Sequence, residues 1–178
     1  MILGILRGTP IWVFILVAYL VGMGAARLRT RVTRVHRLWI MPAVFIGWGL
    51  YGLAQHGGAF PSALADWLMG SVAGLVLGGG PRQRLIADRK HGLVQQPPSV
   101  VPLLRNLGLF GAHYALNVAA AIEPALRAGL MRWDVVVSGL GAGYFIGWAA
   151  RFVQSYRNAP ESVLDLGTRE PVTLLESR

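Results

Sequence analysis

Gly70, Gly74 and Gly78 recur at every fourth position inside an uncharged apolar stretch, Trp67 to Gly80. That spacing stacks them along one face of a helix, where a second backbone can approach closely. Close approach over a face of small residues is how helices pack in lipid. Asp66 extends the same stripe by one step. A second copy of the pattern lies at Gly139, Gly143 and Gly147. The two stripes predict an all-α membrane protein: a bundle of transmembrane helices with a short cytoplasmic hairpin-like loop.

Composition agrees. Only 14% of the 178 residues are charged and 54% are hydrophobic, against about 25% charged in an ordinary soluble domain. The mean hydropathy is +0.49. There is no cysteine, which excludes disulfides, thiol catalysis and thiolate metal ligands. The net charge of +9 would suggest nucleic acid in a soluble chain. Here the arginines sit in short loops between apolar spans, which points to membrane topology and anionic lipid instead; no nucleic-acid partner is expected.

Five spans are expected, at about residues 9–27, 38–55, 60–80, 100–122 and 133–154, so that 1–156 forms one transmembrane domain. Thr9 followed by Pro10 starts the first. Arg27, Arg29, Arg31, Arg34 and Arg37 follow it directly, which argues against a cleaved signal peptide at Gly24 to Ala26. Between spans three and four, Leu85 to Asp88 and Leu93 to Gln95 suggest a short β-hairpin turning at Gly92. Pro97 and Pro98 stop it. Ser99 then caps span four, which Glu123 and Pro124 end. Residues 157–178 are expected to be a disordered cytoplasmic tail. Fourteen of the 17 Lys and Arg fall on one side of this arrangement, putting the amino terminus outside and the carboxyl terminus in the cytoplasm. Spans two and three, and four and five, form two hairpins. They are either a weak parallel repeat or two independent uses of small-residue faces.

Two intramembrane features carry chemistry. Asp66 lies near the external end of span three. It is either a functional ionisable group or one placed high enough to meet interfacial water or cap a neighbour, and the second is preferred. On span four, Asn106, Phe110, His113 and Asn117 share one face, with Tyr114 beside it. They form either a polar binding path in which His113 relays a proton, or interhelical hydrogen bonds that fix register; packing is preferred. His56 and His113 differ in depth by roughly 10 Å at 1.5 Å per residue, which argues against a shared haem. Gly139 to Gly143 and Gly78 to Pro81 lack the remaining signature of a nucleotide loop. No catalytic residue, metal site or cofactor is expected. The expected partners are the bilayer, with anionic lipid at the Arg-rich cytoplasmic loops, and a second copy or a membrane partner docked on a glycine face.

The chain also resembles a family of unknown function made up of small multi-spanning bacterial inner-membrane proteins. The resemblance rests on Thr9, Pro10, Ile11, Trp12 and Val13 at the first helix, on Asp88, Gly92, Pro97, Ser99, Pro102 and Leu103 around the cytoplasmic loop, and on His113 followed by Tyr114. Pro98 stands where that family usually has Gly, and His113 where it usually has Lys. The resemblance implies the inner membrane and no established activity. The functional expectation is a structural or accessory role, with a small-solute or proton-coupled carrier using Asp66, His113 and Asn117 as the alternative.

Overall fold

The computed structural model describes residues 9–54, 60–78 and 85–164. Among these the protein is mostly helical. Helix α1 is Ile11–Ala25, α2 Ile40–Ala54, α3 Phe60–Gly78, α4 Val101–Ile122 and α5 Arg127–Arg157. Three stretches are long and apolar enough to cross a membrane: Val35–Ala54, Phe60–Gly78 and Pro124–Arg157; Val13–Leu28 is apolar but shorter. Helix α4 has 22 residues, yet Arg105, Asn106, His113 and Asn117 dilute its apolar character, and it is not among the three.

The expected all-α class needs correction. Three short strands, β1 (Arg31–Arg34), β2 (Ile86–Asp88) and β3 (Leu93–Gln96), form an antiparallel sheet in the order β1-β3-β2. The expected hairpin is present, and Gly92 takes the positive φ of 63° that its turn requires. The strand from the first basic loop pairs alongside it, with Thr33 opposite Val94 and Arg34 opposite Leu93. An isolated hairpin is marginal in water, and a third strand with an apolar face supplies what it lacks.

The chain divides into two compact units. One comprises the residues up to Arg29 together with Ser99–Asp134; the other comprises Thr30–Pro98 and the chain from Val135.

In the first unit α1 and α4 run antiparallel. Gly24, near the end of α1, lies against Leu103, near the start of α4; a Cβ at Gly24 would sit 2.7 Å from the Leu103 Cβ. At the other end Thr9 Oγ1 and Tyr114 Oη share a hydrogen bond. The cap position of α1 is held by Pro10, in extended conformation, and not by Thr9. Ser99 Oγ accepts a hydrogen bond from the Val101 N–H at 3.3 Å, and the Ser99 N–H donates to the Arg27 carbonyl at 2.9 Å.

In the second unit α3 and α5 pack backbone to backbone, and the two glycine stripes meet. A Cβ at Gly70 would lie 2.9 Å from the Val136 carbonyl carbon and 3.0 Å from the Leu140 nitrogen. One at Gly74 would lie 2.7 Å from the Tyr144 nitrogen, and one at Gly78 would lie 2.9 Å from the Tyr144 carbonyl carbon. From the other helix, Gly139 abuts Trp67 and Gly143 abuts Ser71. Gly147 is buried. Ser71 Oγ bridges the pair, with contacts to the Trp67 carbonyl at 2.9 Å and the Gly139 carbonyl at 3.2 Å. Leu53, Ala63, Trp67 and Ala142 fill the adjoining core, and Phe45 stacks on Phe145 at 4.5 Å.

Helix α5 continues past this core to Arg157, where Trp148, Phe152 and Tyr156 stack in sequence. Phe152 packs with Leu38, Leu85, Ala87, Val94 and Ala159, so the sheet sits on the last turns of α5. At 31 residues α5 is about 46 Å long, well beyond a hydrocarbon core of about 30 Å. It begins six residues before the expected span because nothing between Arg127 and Trp133 breaks a helix except Gly129. The tail after Arg157, expected to be disordered, starts with residues that dock. The Ala87 N–H donates to the Pro160 carbonyl and the Ser162 N–H to the Ala87 carbonyl, each at 3.0 Å. Leu164 is buried with Val32 and Leu93. Residues 165–178 lie outside the described residues.

Candidate functional sites

The first unit holds a polar constellation. His113 on α4 hydrogen-bonds through Nδ1 to Asp134 Oδ1 on α5 at 2.7 Å. Asn117, one turn further along α4, donates from Nδ2 to the same carboxylate oxygen at 3.1 Å and to the His113 carbonyl at 2.8 Å. Helical spacing puts His113 and Asn117 on one face. The turn at Pro124–Leu126 then folds the chain back so that the eighth residue of α5 meets them. Asp134 shares its proton-accepting oxygen between two donors, which holds the imidazole and amide in one geometry. His113 and Asp134 are both partly exposed.

Of the expected polar set, His113 and Asn117 are brought together. Tyr114 points its hydroxyl to Thr9. Asn106 accepts from Arg105 Nε at 3.0 Å. Asp66 is half-buried on α3, in the second unit. Asp134 was absent from the expected set. Its signal was available: it is the one acidic residue in the expected fifth span. His56 lies outside the described residues, as do Gly79 to Arg84 at the end of the expected third span. Among the described residues, no group of three or more His, Cys, Asp or Glu could hold a metal ion.

The second unit carries two charged arrangements. Arg89, in the hairpin turn, reaches across to the end of α5. Its Nη2 donates to the carbonyls of Tyr156 (3.2 Å), Arg157 (3.0 Å) and Ala159 (2.9 Å), and its Nη1 pairs with Glu161 at 3.1 Å. A guanidinium is well suited to the carbonyls that a helix leaves unpaired at its C-terminus. Beside it, buried Asp88 accepts the Leu164 N–H at 3.1 Å, the His91 N–H at 3.0 Å and the His91 ring at 2.8 Å. The Leu164 N–H, followed by the His91 ring and backbone, holds its carboxyl below the ordinary value of 3.8, against an opposing push from burial. Arg89 and Asp88 thus latch the start of the tail onto β2.

The second arrangement is a groove of about 190 Å³ lined by Arg31, Val32, Thr33, Arg34 and Arg37, at the outer strand β1. Arg31 Nε donates to Thr33 Oγ1 at 3.1 Å.

These features define a mostly helical protein with three helices apolar enough to cross a membrane and a small basic sheet. The chain belongs to a family of unknown function, DUF6622, whose model matches residues 1–161. No curated protein and no solved structure matches it.

Proposed function

We propose that the chain is a five-span integral protein of the bacterial inner membrane, with its amino terminus outside and its carboxyl terminus in the cytoplasm. Its role is that of a non-enzymatic accessory protein presenting a small basic sheet to the cytoplasmic surface of the bilayer. One observation carries this reading. Loop one, loop two and the start of the tail, which the arginine distribution assigns to a single side, join in one β structure. The glycine faces are occupied by one another, so a second copy or a membrane partner docks elsewhere, the sheet being the surface on offer. Helices α1 and α4 complete the five spans, α1 by including the flanking residues up to Leu28. His113 and Asn117 on α4 are engaged by Asp134, and Tyr114 by Thr9.

The carrier reading has its own support in the bond between His113 and Asp134, a pair able to exchange a proton, at a depth of roughly 10–13 Å from the turn that joins their helices. Proton flux into vesicles containing the purified chain separates the two. The accessory role predicts the same leak for empty vesicles, the wild type and Asp134→Asn. Flux above the empty-vesicle level that Asp134→Asn abolishes would overturn it in favour of the carrier.

A further inference from the structure

We infer that the groove lined by Arg31, Val32, Thr33, Arg34 and Arg37 is a binding site for the phosphate headgroup of an anionic phospholipid. This deepens the proposed function and rests on its placement of loop one at the cytoplasmic surface.

The chemistry of the lining is one-sided. Three arginines line the groove, and among the described residues no carboxylate does. Among the described residues, Arg31, Arg34 and Arg37 make no ion pair with an acidic side chain, whereas Arg89, on the same sheet, is paired with Glu161. Guanidinium groups bind phosphate oxygens through parallel charge-assisted hydrogen bonds, so three arginines with no acidic partner among the described residues suit a phosphate. Arg31 is partly pre-positioned: its Nε is tied to Thr33 Oγ1, a bond that uses neither terminal nitrogen. The volume of about 190 Å³ is below the roughly 300–1,000 Å³ of sites for drug-sized ligands. It suits a headgroup rather than a nucleotide or a folded cofactor.

The sheet has two edges, and they are treated differently. The β2 edge is covered by the tail through Ala87. The β1 edge carries the arginines and has no strand beyond it among the described residues. Lipid is favoured over a soluble phosphate by position in the chain. Arg37 is two residues before Trp39 and three before Ile40, where α2 begins. The apolar stretch that includes these residues, Val35–Ala54, is one of the three able to cross a membrane. An arginine at that point reaches the headgroup layer, where each basic residue gains attraction from anionic lipid.

The test uses the full chain in neutral detergent. Phosphatidylglycerol is titrated in mixed micelles with phosphatidylcholine, and retained lipid is counted by native mass spectrometry. Arg34→Gln combined with Arg37→Gln changes two exposed residues and should weaken phosphatidylglycerol retention at least about tenfold. Lys90→Gln combined with Arg157→Gln removes the same charge elsewhere on this unit and should change retention less than about twofold. Equal losses from the two pairs, or no loss from the first, would overturn the site. Inorganic phosphate is titrated in parallel: binding as tight as that of the lipid, unaffected by added phosphatidylglycerol, would overturn the lipid assignment. The measurement does not depend on orientation in a bilayer, so its failure is distinct from failure of the topology.

Discussion

Replacing Gly74 by alanine tests the close packing of α3 on α5. The new Cβ would lie 2.7 Å from the Tyr144 nitrogen and 2.9 Å from the Leu140 carbonyl carbon, whereas ordinary contact is 3.4–4 Å. These neighbours are backbone, so no side chain can rotate away. The two helices must part by about 1 Å to restore normal separation. Parting also stretches the Ser71 contact to the Gly139 carbonyl, now 3.2 Å, beyond useful hydrogen-bond length. Overpacking of this kind costs about 1–3 kcal/mol. Alanine gains roughly 1 kcal/mol over glycine in helix propensity, which obscures the clash when the variant is compared with wild type alone. Gly47→Ala on α2 removes that ambiguity: it gains the same propensity, and nothing lies within 4 Å of its Cβ. The difference between the two variants isolates the clash. With 1 kcal/mol worth about 2–4 °C in a chain of this size, Gly74→Ala should melt roughly 3–10 °C below Gly47→Ala in detergent. Equal melting temperatures would refute the close approach of the two glycine faces.

Two further outcomes follow from the latch between hairpin and tail. Arg89→Ala removes donors from the Tyr156, Arg157 and Ala159 carbonyls and from Glu161. It should weaken tail docking by on the order of 1–2 kcal/mol, given partial exposure, and speed trypsin cleavage after Arg157 by several-fold; unchanged cleavage would show that the tail is held otherwise. Asp88 has a lowered pKa, so its stabilisation is fully present above the unfolded value near 3.8. It fades as pH falls through the lower folded value. Hydrogen exchange at the Leu164 amide should therefore stay protected at pH 5 and lose protection below about pH 4, while Asp88→Asn should show weaker protection that is flat across this range.

The sequence pattern made some of this fold legible and not the rest, for physical reasons. The glycine stripes, the turn at Gly92 and the stop at Glu123 and Pro124 are local signals, each depending on residues within one or two turns; the helix expected to be capped by Ser99 has Val100 at its cap position instead. The partner of a stripe is a different matter. Gly70 and Gly139 are 69 positions apart, and a small-residue face announces close approach without naming what approaches. Strand β1 was hidden for a similar reason. Arg-Val-Thr-Arg is too short to show alternation, and its hydrogen-bond partners in β3 lie about sixty residues away. Its charges read as a topology signal, and they still do. The polar set was half legible: His113 and Asn117 share a face by spacing alone. Asp134 belongs with them only because the turn after α4 brings two helices into register.

The most direct test of the proposed architecture exploits the absence of native cysteine. Single cysteines at exposed positions Lys90, Val163 and Gly129 are labelled in intact spheroplasts with a membrane-impermeant maleimide, and again after lysis. The five-span topology predicts that Gly129→Cys reacts in intact spheroplasts, while Lys90→Cys and Val163→Cys react only after lysis. Reaction of Lys90→Cys and Val163→Cys on opposite sides of the membrane, or of all three on one side, would contradict a single cytoplasmic sheet built from both loops and the tail.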